Sequence, residues 1–143
     1  MRDYNTPVRI GYFKKLNGSI ISDGLPIRLY PKQAPNDALY PYIIISTQTG
    51  VDDSTKNQQG QQVTILIDIV TGFQGAINDD IANNIADQIF TLINPKDKSF
   101  IEMPSYLKII STNLLLDTDL QDQNGVYKIY RRLLRFGHII HEQ

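Results

Sequence analysis

Two histidines, His138 and His141, stand three residues apart near the C-terminus, a spacing that on a helix would turn both toward one metal ion. Zinc needs more donors than these, and the chain has no cysteine to supply them. The run Gly137-His138-Ile139-Ile140-His141 reads as the tail of a strand, so exposed terminal histidines are the expectation. Asp117, Asp119 and Asp122 resemble part of a calcium loop or of a two-metal hydrolase site. An EF-hand loop requires glycine at its sixth position and glutamate at its twelfth, but the sixth residue counted from Asp117 is Asp122. Aspartates in a solvated hairpin tip account for the same residues, because their side chains bond the local backbone. The chain has neither a Gly-x-Ser-x-Gly elbow nor a Gly-x-x-x-x-Gly-Lys phosphate loop. Acid–base work would fall to carboxylates, lysines or tyrosines, and no pair stands out. No enzyme activity, catalytic residue, metal site or cofactor is expected.

Lys128, Arg131, Arg132 and Arg135, interleaved with Tyr127 and Tyr130, form the most basic stretch. In a strand, alternation sends Arg131 and Arg135 to one face and Lys128 and Arg132 to the other. Two readings stay open. These residues make ion pairs with acidic loops or adjacent subunits, or they face DNA and touch its backbone without sequence readout, as in a nucleic-acid-binding module.

The elements that position these groups come from a chain of 143 residues, of which 41% are hydrophobic and 20% charged, with a net charge of -1. That length suits one domain over residues 1–143. The charge balance advertises neither nucleic acid nor membrane as a partner. No cleavable signal pattern opens the chain, and no apolar run reaches the roughly eighteen residues of a membrane span, so a soluble protein is expected.

Thr6 before Pro7 suits the start of a helix in which Val8, Tyr12, Phe13 and Leu16 share a face, ended by Asn17-Gly18. Residues 27–30 read as a short edge strand stopped by Pro31. Residues 42–47 and 63–71 read as antiparallel interior strands, the second alternating Val63, Ile65, Ile67 and Ile69 against Thr64, Leu66, Asp68 and Val70. From Ile77 to Ile93 the period changes to about 3.6, which predicts an amphipathic helix, capped by Asn78 and halted by Asn94-Pro95. After a loop over residues 95–104, residues 107–116 and 126–136 form two further strands joined by an acidic turn over residues 117–125. The expected fold class is α+β: a single, mostly antiparallel sheet of about four to five strands, two helices packed on it and a long β-hairpin loop.

That loop, residues 48–62, is a polar tongue longer than the two to five residues usual in a hairpin. Long polar loops on a rigid sheet usually contact something else. Asp52, Asp53, Ser54, Thr55, Lys56, Asn57, Gln58 and Gln59 are therefore the expected contact residues for a subunit or partner.

The order of these segments carries a family resemblance. Ala38-Leu39-Tyr40-Pro41-Tyr42-Ile43-Ile44-Ile45 leads through Ser54-Thr55-Lys56 and Gly60-Gln61-Gln62 into a β-branched strand, an Ile/Ala helix and a late Arg-rich strand. Over most of its length the chain resembles the tail terminator and tail completion (head–tail joining) proteins of tailed bacteriophages. The resemblance implies a structural virion protein that is assembled in the host cytoplasm. It also implies a homo-oligomeric ring of six or twelve copies at the tail end or neck, with the tail tube and portal-side connector proteins as partners. DNA would pass transiently through the lumen, and neither a membrane nor a cofactor is implied.

Overall fold

The computed structural model describes residues 2–56, 58–93 and 101–143. Helix α1 (Asn5–Leu16) is followed by strands β1 (Ile21–Ser22), β2 (Leu25–Pro26), β3 (Arg28–Pro31), β4 (Tyr42–Asp52) and β5 (Gly60–Phe73). Helix α2 (Asp80–Leu92) and strands β6 (Leu107–Asn124) and β7 (Tyr127–Glu142) complete the chain. The main sheet has five strands in the order β3-β4-β5-β7-β6, while β1 and β2 pair as a separate antiparallel ribbon.

The expectation of a single, mostly antiparallel sheet in an α+β fold is corrected. The molecule is mostly β: of the described residues, 51% are in strands and 19% in helices. Its main sheet is mixed, because β3 runs parallel to β4, with Arg28 opposite Tyr42 and Pro31 opposite Ile45. Alternation in residues 27–30 specifies a strand but not its direction. Direction is decided by residues 32–41, which pass over one face of the sheet and bury Ala34, Ala38 and Tyr40 against Tyr42, Val70 and Ile129. The Tyr40–Pro41 peptide in this crossover is cis.

Both helices pack on the opposite face. Val8, Tyr12 and Leu16 of α1 and Ala82, Ile85, Ala86 and Ile89 of α2 meet Ile43, Ile45, Val63, Ile65, Ile67 and Ile69, joined by Leu134, Phe136 and Ile140. Each isoleucine fully buried there contributes about 1.5–3 kcal/mol of transfer free energy, which makes this layer the principal source of stability. The cap of α1 differs from expectation. The Asp3 carboxylate, not Thr6, accepts the N–H groups of Asn5 (3.0 Å) and Thr6 (3.3 Å), and the Thr6 side chain first, with these backbone bonds behind it, holds its pKa below the usual carboxylate value. Gly11, an apparent weakness in the helix, has a packing reason: a Cβ there would lie 2.9 Å from the Glu102 carbonyl oxygen. At α2, Asn78 Oδ1 accepts the Asp80 N–H at 3.1 Å. Gln88 of α2 both accepts from Ile21 N–H (2.9 Å) and donates to Ile21 C=O (2.8 Å), which fastens the β1-β2 ribbon to the helix layer. The Asn94-Pro95 stop and the 95–100 part of the expected loop lie outside the described residues.

Candidate assembly interface

The polar tongue is much shorter than its composition suggests. Strands β4 and β5 stay paired out to Asp52 opposite Gln61, so only residues 53–59 form the loop. Polar side chains extend the ladder here because both faces of the hairpin end are wet, and hydrophobic alternation carries no signal in such a segment. The loop is ordered by its own bonds. Asp53 N–H donates to Gly60 C=O at 2.9 Å, and Thr55 N–H donates to Gln58 C=O at 2.7 Å. The Asp52 carboxylate accepts the Ser54 hydroxyl (2.6 Å) and N–H (3.0 Å), and the hydroxyl bond is the first cause of its lowered pKa. Gln58 Nε2 donates to Glu142 C=O at 3.0 Å and Glu142 N–H to Gln59 C=O at 2.9 Å, which ties the loop to the end of β7. His141 Nε2 lies 3.5 Å from Asp53 Oδ2, an ion pair when the imidazole is protonated. Asp52, Asp53, Ser54, Thr55, Lys56, Gln58 and Gln59 are all exposed, and Asn57 lies outside the described residues.

The basic residues of β7 are divided between the two faces, and two of the four, Arg131 and Arg132, are engaged. On the helix face, Arg132 grips Asp117 with two bonds, Nε to Oδ1 at 2.9 Å and Nη2 to Oδ2 at 2.7 Å, while Nη1 donates to Asn83 Oδ1 of α2 at 2.9 Å. The bond to Arg132 lowers the Asp117 pKa and raises that of the guanidinium. On the other face, Arg131 Nη1 donates to Asp68 Oδ2 at 3.2 Å. Burial pushes the Asp68 carboxyl up, with Arg131 pulling it down less strongly. Arg135 carries a buried Nε without a hydrogen-bond partner, and Lys128 is exposed with no ion pair among the described residues.

The three aspartates do not form a hairpin tip. They lie within β6, and the turn to β7 is formed by Gly125 and Val126. Asp117 and Asp119 pair with Leu134 and Arg132 on the helix face, whereas Asp122 pairs with Ile129 on the other. Asp119 accepts the Tyr130 hydroxyl at 3.1 Å. Among the described residues no group of three or more acidic, histidine or cysteine side chains is arranged to hold a metal ion. The histidines also separate. His138 is not exposed but fully buried, hydrogen-bonded through Nε2 to the Tyr12 hydroxyl (2.6 Å) and through Nδ1 to the Thr112 hydroxyl (2.9 Å). Its even position in register with Leu134, Phe136 and Ile140 was the available signal for burial.

Two surfaces escaped sequence reasoning. The sheet face away from the helices is covered at one end by residues 32–41, but farther along it Ile44, Leu66, Leu133 and Ile139 stay half-buried. The long edge strand β6 exposes Ile110, Leu114, Leu115, Leu116 and Leu120. Sheet order creates both surfaces, and local pattern does not encode sheet order.

The described residues thus present an ordered polar hairpin end, a half-apolar sheet face and a long edge strand with exposed leucines. The fold is similar to that of a chain in the virion of a native gene transfer agent particle, with a TM-score of 0.63 and 15% identity over 79% of this chain and 78% of that one. Among curated proteins, none matches this sequence. Residues 18–141 match the family described as tail completion protein gp17. The match covers most of the chain, so the protein belongs to the tail completion protein gp17 family, whose members are structural components of the phage virion, in its tail or head–tail region, and not enzymes.

Proposed function

We propose that this chain forms a ring of identical copies that closes the tail end and joins the tail tube to the head-side neck, leaving a lumen for DNA. The observation that carries this reading is the one-sidedness of the sheet. Both helices cover one face, while among the described residues the part of the other face beyond residues 32–41 and the outer edge of β6 are left half-apolar and uncovered. A ring requires heterologous contacts, in which one surface of a copy meets a different surface of the next. The tongue residues Asp52, Asp53, Ser54, Thr55, Lys56, Asn57, Gln58 and Gln59 are assigned to contact with a neighbour or the tube. Within the basic strand, the bonds of Arg131 to Asp68 and of Arg132 to Asp117 favour a framework role. Lys128 and Arg135 are left as the residues for subunit contact or for the lumen. That small number of unopposed cations suits passage of DNA better than its retention, since phosphate binding grows with each cation engaged.

The test is the mass of the full-length protein by light scattering, with imaging alone and in the presence of its tail-tube protein. Rings, free or seated on tube ends, are the expected result, and their symmetry distinguishes six copies from twelve. A chain that stays monomeric and binds neither tube nor neck proteins overturns the reading. Tight DNA binding that is lost on Arg131→Ala with Arg135→Ala would replace it with a nucleic-acid-binding module.

A further inference from the structure

The main sheet ends in two unfinished edges that suit one another. One is the outer side of β6, which pairs with β7 from Leu107 to Asn124 and lies at the end of the strand order. The other belongs to β4. Strand β3 covers only Tyr42 to Ile45, and Lys32 N–H takes the Ile45 carbonyl. Beyond that point residues 46–52 pair with β5 on one side, and among the described residues no strand pairs with them on the other. Pro31, which has no N–H to offer, closes β3 and leaves the lane beyond it vacant.

Among the described residues nothing pairs with that side of β6; an edge so long is a template for pairing with another chain, and its exposed leucines point to both faces. The strand directions then decide which partner fits. Strand β4 is antiparallel to β5, β5 to β7, and β7 to β6, so β6 runs opposite to β4. A second copy rotated about an axis along the strands keeps its strand directions and presents its β4 edge to β6 in the antiparallel sense. Repeated at a constant angle, this contact closes, with the helices of every copy on one side of the sheet and the open face on the other. Pairing β6 with another β6 is less suitable, because it would bring Asp117, Asp119 and Asp122 beside their own equivalents, and like charges across a strand pair repel. Residues 46–52 carry a single charge, Asp52 at their end.

Resting on the ring reading above, we propose that residues 46–52 of one copy add as an antiparallel strand to β6 of the next, so that the sheet runs continuously around the ring. The chain has no cysteine, which allows a direct test. Val51→Cys is combined with a cysteine at Leu116, Thr118 or Leu120, positions whose register sets them on the same open face as Val51. Within one copy the two strands lie three lanes apart, about 14 Å, too far for a disulfide, whereas opposed residues of an added strand are close enough. Oxidised particles carrying the doubly substituted chain should give, for one of the three pairs, a non-reducing ladder that ends at the ring's copy number. Particles that contain rings yet yield only monomers for all three pairs overturn the strand addition while leaving the ring intact. Dimers from Leu120→Cys alone also overturn it, in favour of β6–β6 contact. Failure of the unmodified chain to form any ring overturns the ring reading itself. Hydrogen exchange of the unmodified chain gives a second readout. Outward amides of β6 and of residues 46–52 should exchange at least tenfold more slowly in particles than in the free chain, and unchanged rates in both segments overturn the proposal.

Discussion

Tyr12 of α1 and His138 of β7 are hydrogen-bonded across the core, hydroxyl oxygen to Nε2 at 2.6 Å, although 126 residues separate them in sequence. Burial lowers the His138 pKa from 6.5 to about 4. A base whose pKa is depressed by folding binds fewer protons folded than unfolded between those two values. Its contribution is therefore fully present above pH 6.5 and lost as pH falls from 6.5 toward 4. Between pH 7 and pH 5 this loss amounts to about 2 kcal/mol. Denaturant unfolding at the two pH values should show that loss in the native chain and a much smaller one in His138→Leu.

The Asp68–Arg131 pair is unequally buried, the arginine side chain being 33% exposed and the aspartate 13%. Removing the arginine strands a desolvated carboxylate, whereas removing the aspartate leaves a guanidinium that reaches water. Arg131→Ala should thus cost about 1–3 kcal/mol of stability and Asp68→Ala less, as measured by urea midpoints at pH 7. Equal losses would mean that the pair is screened by solvent and that its burial is unimportant.

Arg132 binds Asp117 with a two-pronged guanidinium and reaches Asn83 with a third nitrogen. An ammonium cannot reproduce that planar fork. Arg132→Lys is expected to lose about as much stability as Arg132→Ala, roughly 1–2 kcal/mol, and thermal unfolding of both variants checks this.

Gly60 sits at the base of the tongue, where a Cβ would collide with His141 Cδ2 and lie 2.8 Å from the Ile140 carbonyl oxygen. Gly60→Ala should destabilise the chain by about 1–3 kcal/mol through forced displacement of β7's end. Amide exchange around residues 139–142 should rise with it. A variant as stable as the parent would show that the end of β7 yields freely.

Replacing residues 53–59 with Asn-Gly keeps a turn that two paired strands accept. The bonds of Gln58 and Gln59 to Glu142 are lost, a cost of about 1–2 kcal/mol, so the chain should remain folded by circular dichroism. Particle assembly should fail. Normal particles from this variant would reduce the tongue to a tolerated surface loop.

The sequence was most legible where one face of an element is dry. Ile81, Ile85 and Ile89 announce α2 through a 3.6 period, and Val63, Ile65, Ile67 and Ile69 announce β5 through a period of two, because burial of one face imposes each pattern. It was least legible at strand ends. Residues 48–52 and 117–124 look like loops since their side chains are polar, yet they are held in ladders by backbone bonds that every residue type can make. Polarity alone therefore places the aspartates in a turn and overstates the length of the tongue.

By itself, then, the sequence determined the helix and strand cores, the absence of thiol chemistry and of nucleophile motifs, and, through segment order, the resemblance to tail completion proteins. Tertiary structure decided the parallel pairing of β3, the burial of His138, the bonds that engage Arg131 and Arg132, and the two open edges. The physical reason is that periodicity records only whether a residue faces water. Which strand lies beside which depends on contacts between residues far apart in the chain, and these exist only once the sheet has formed.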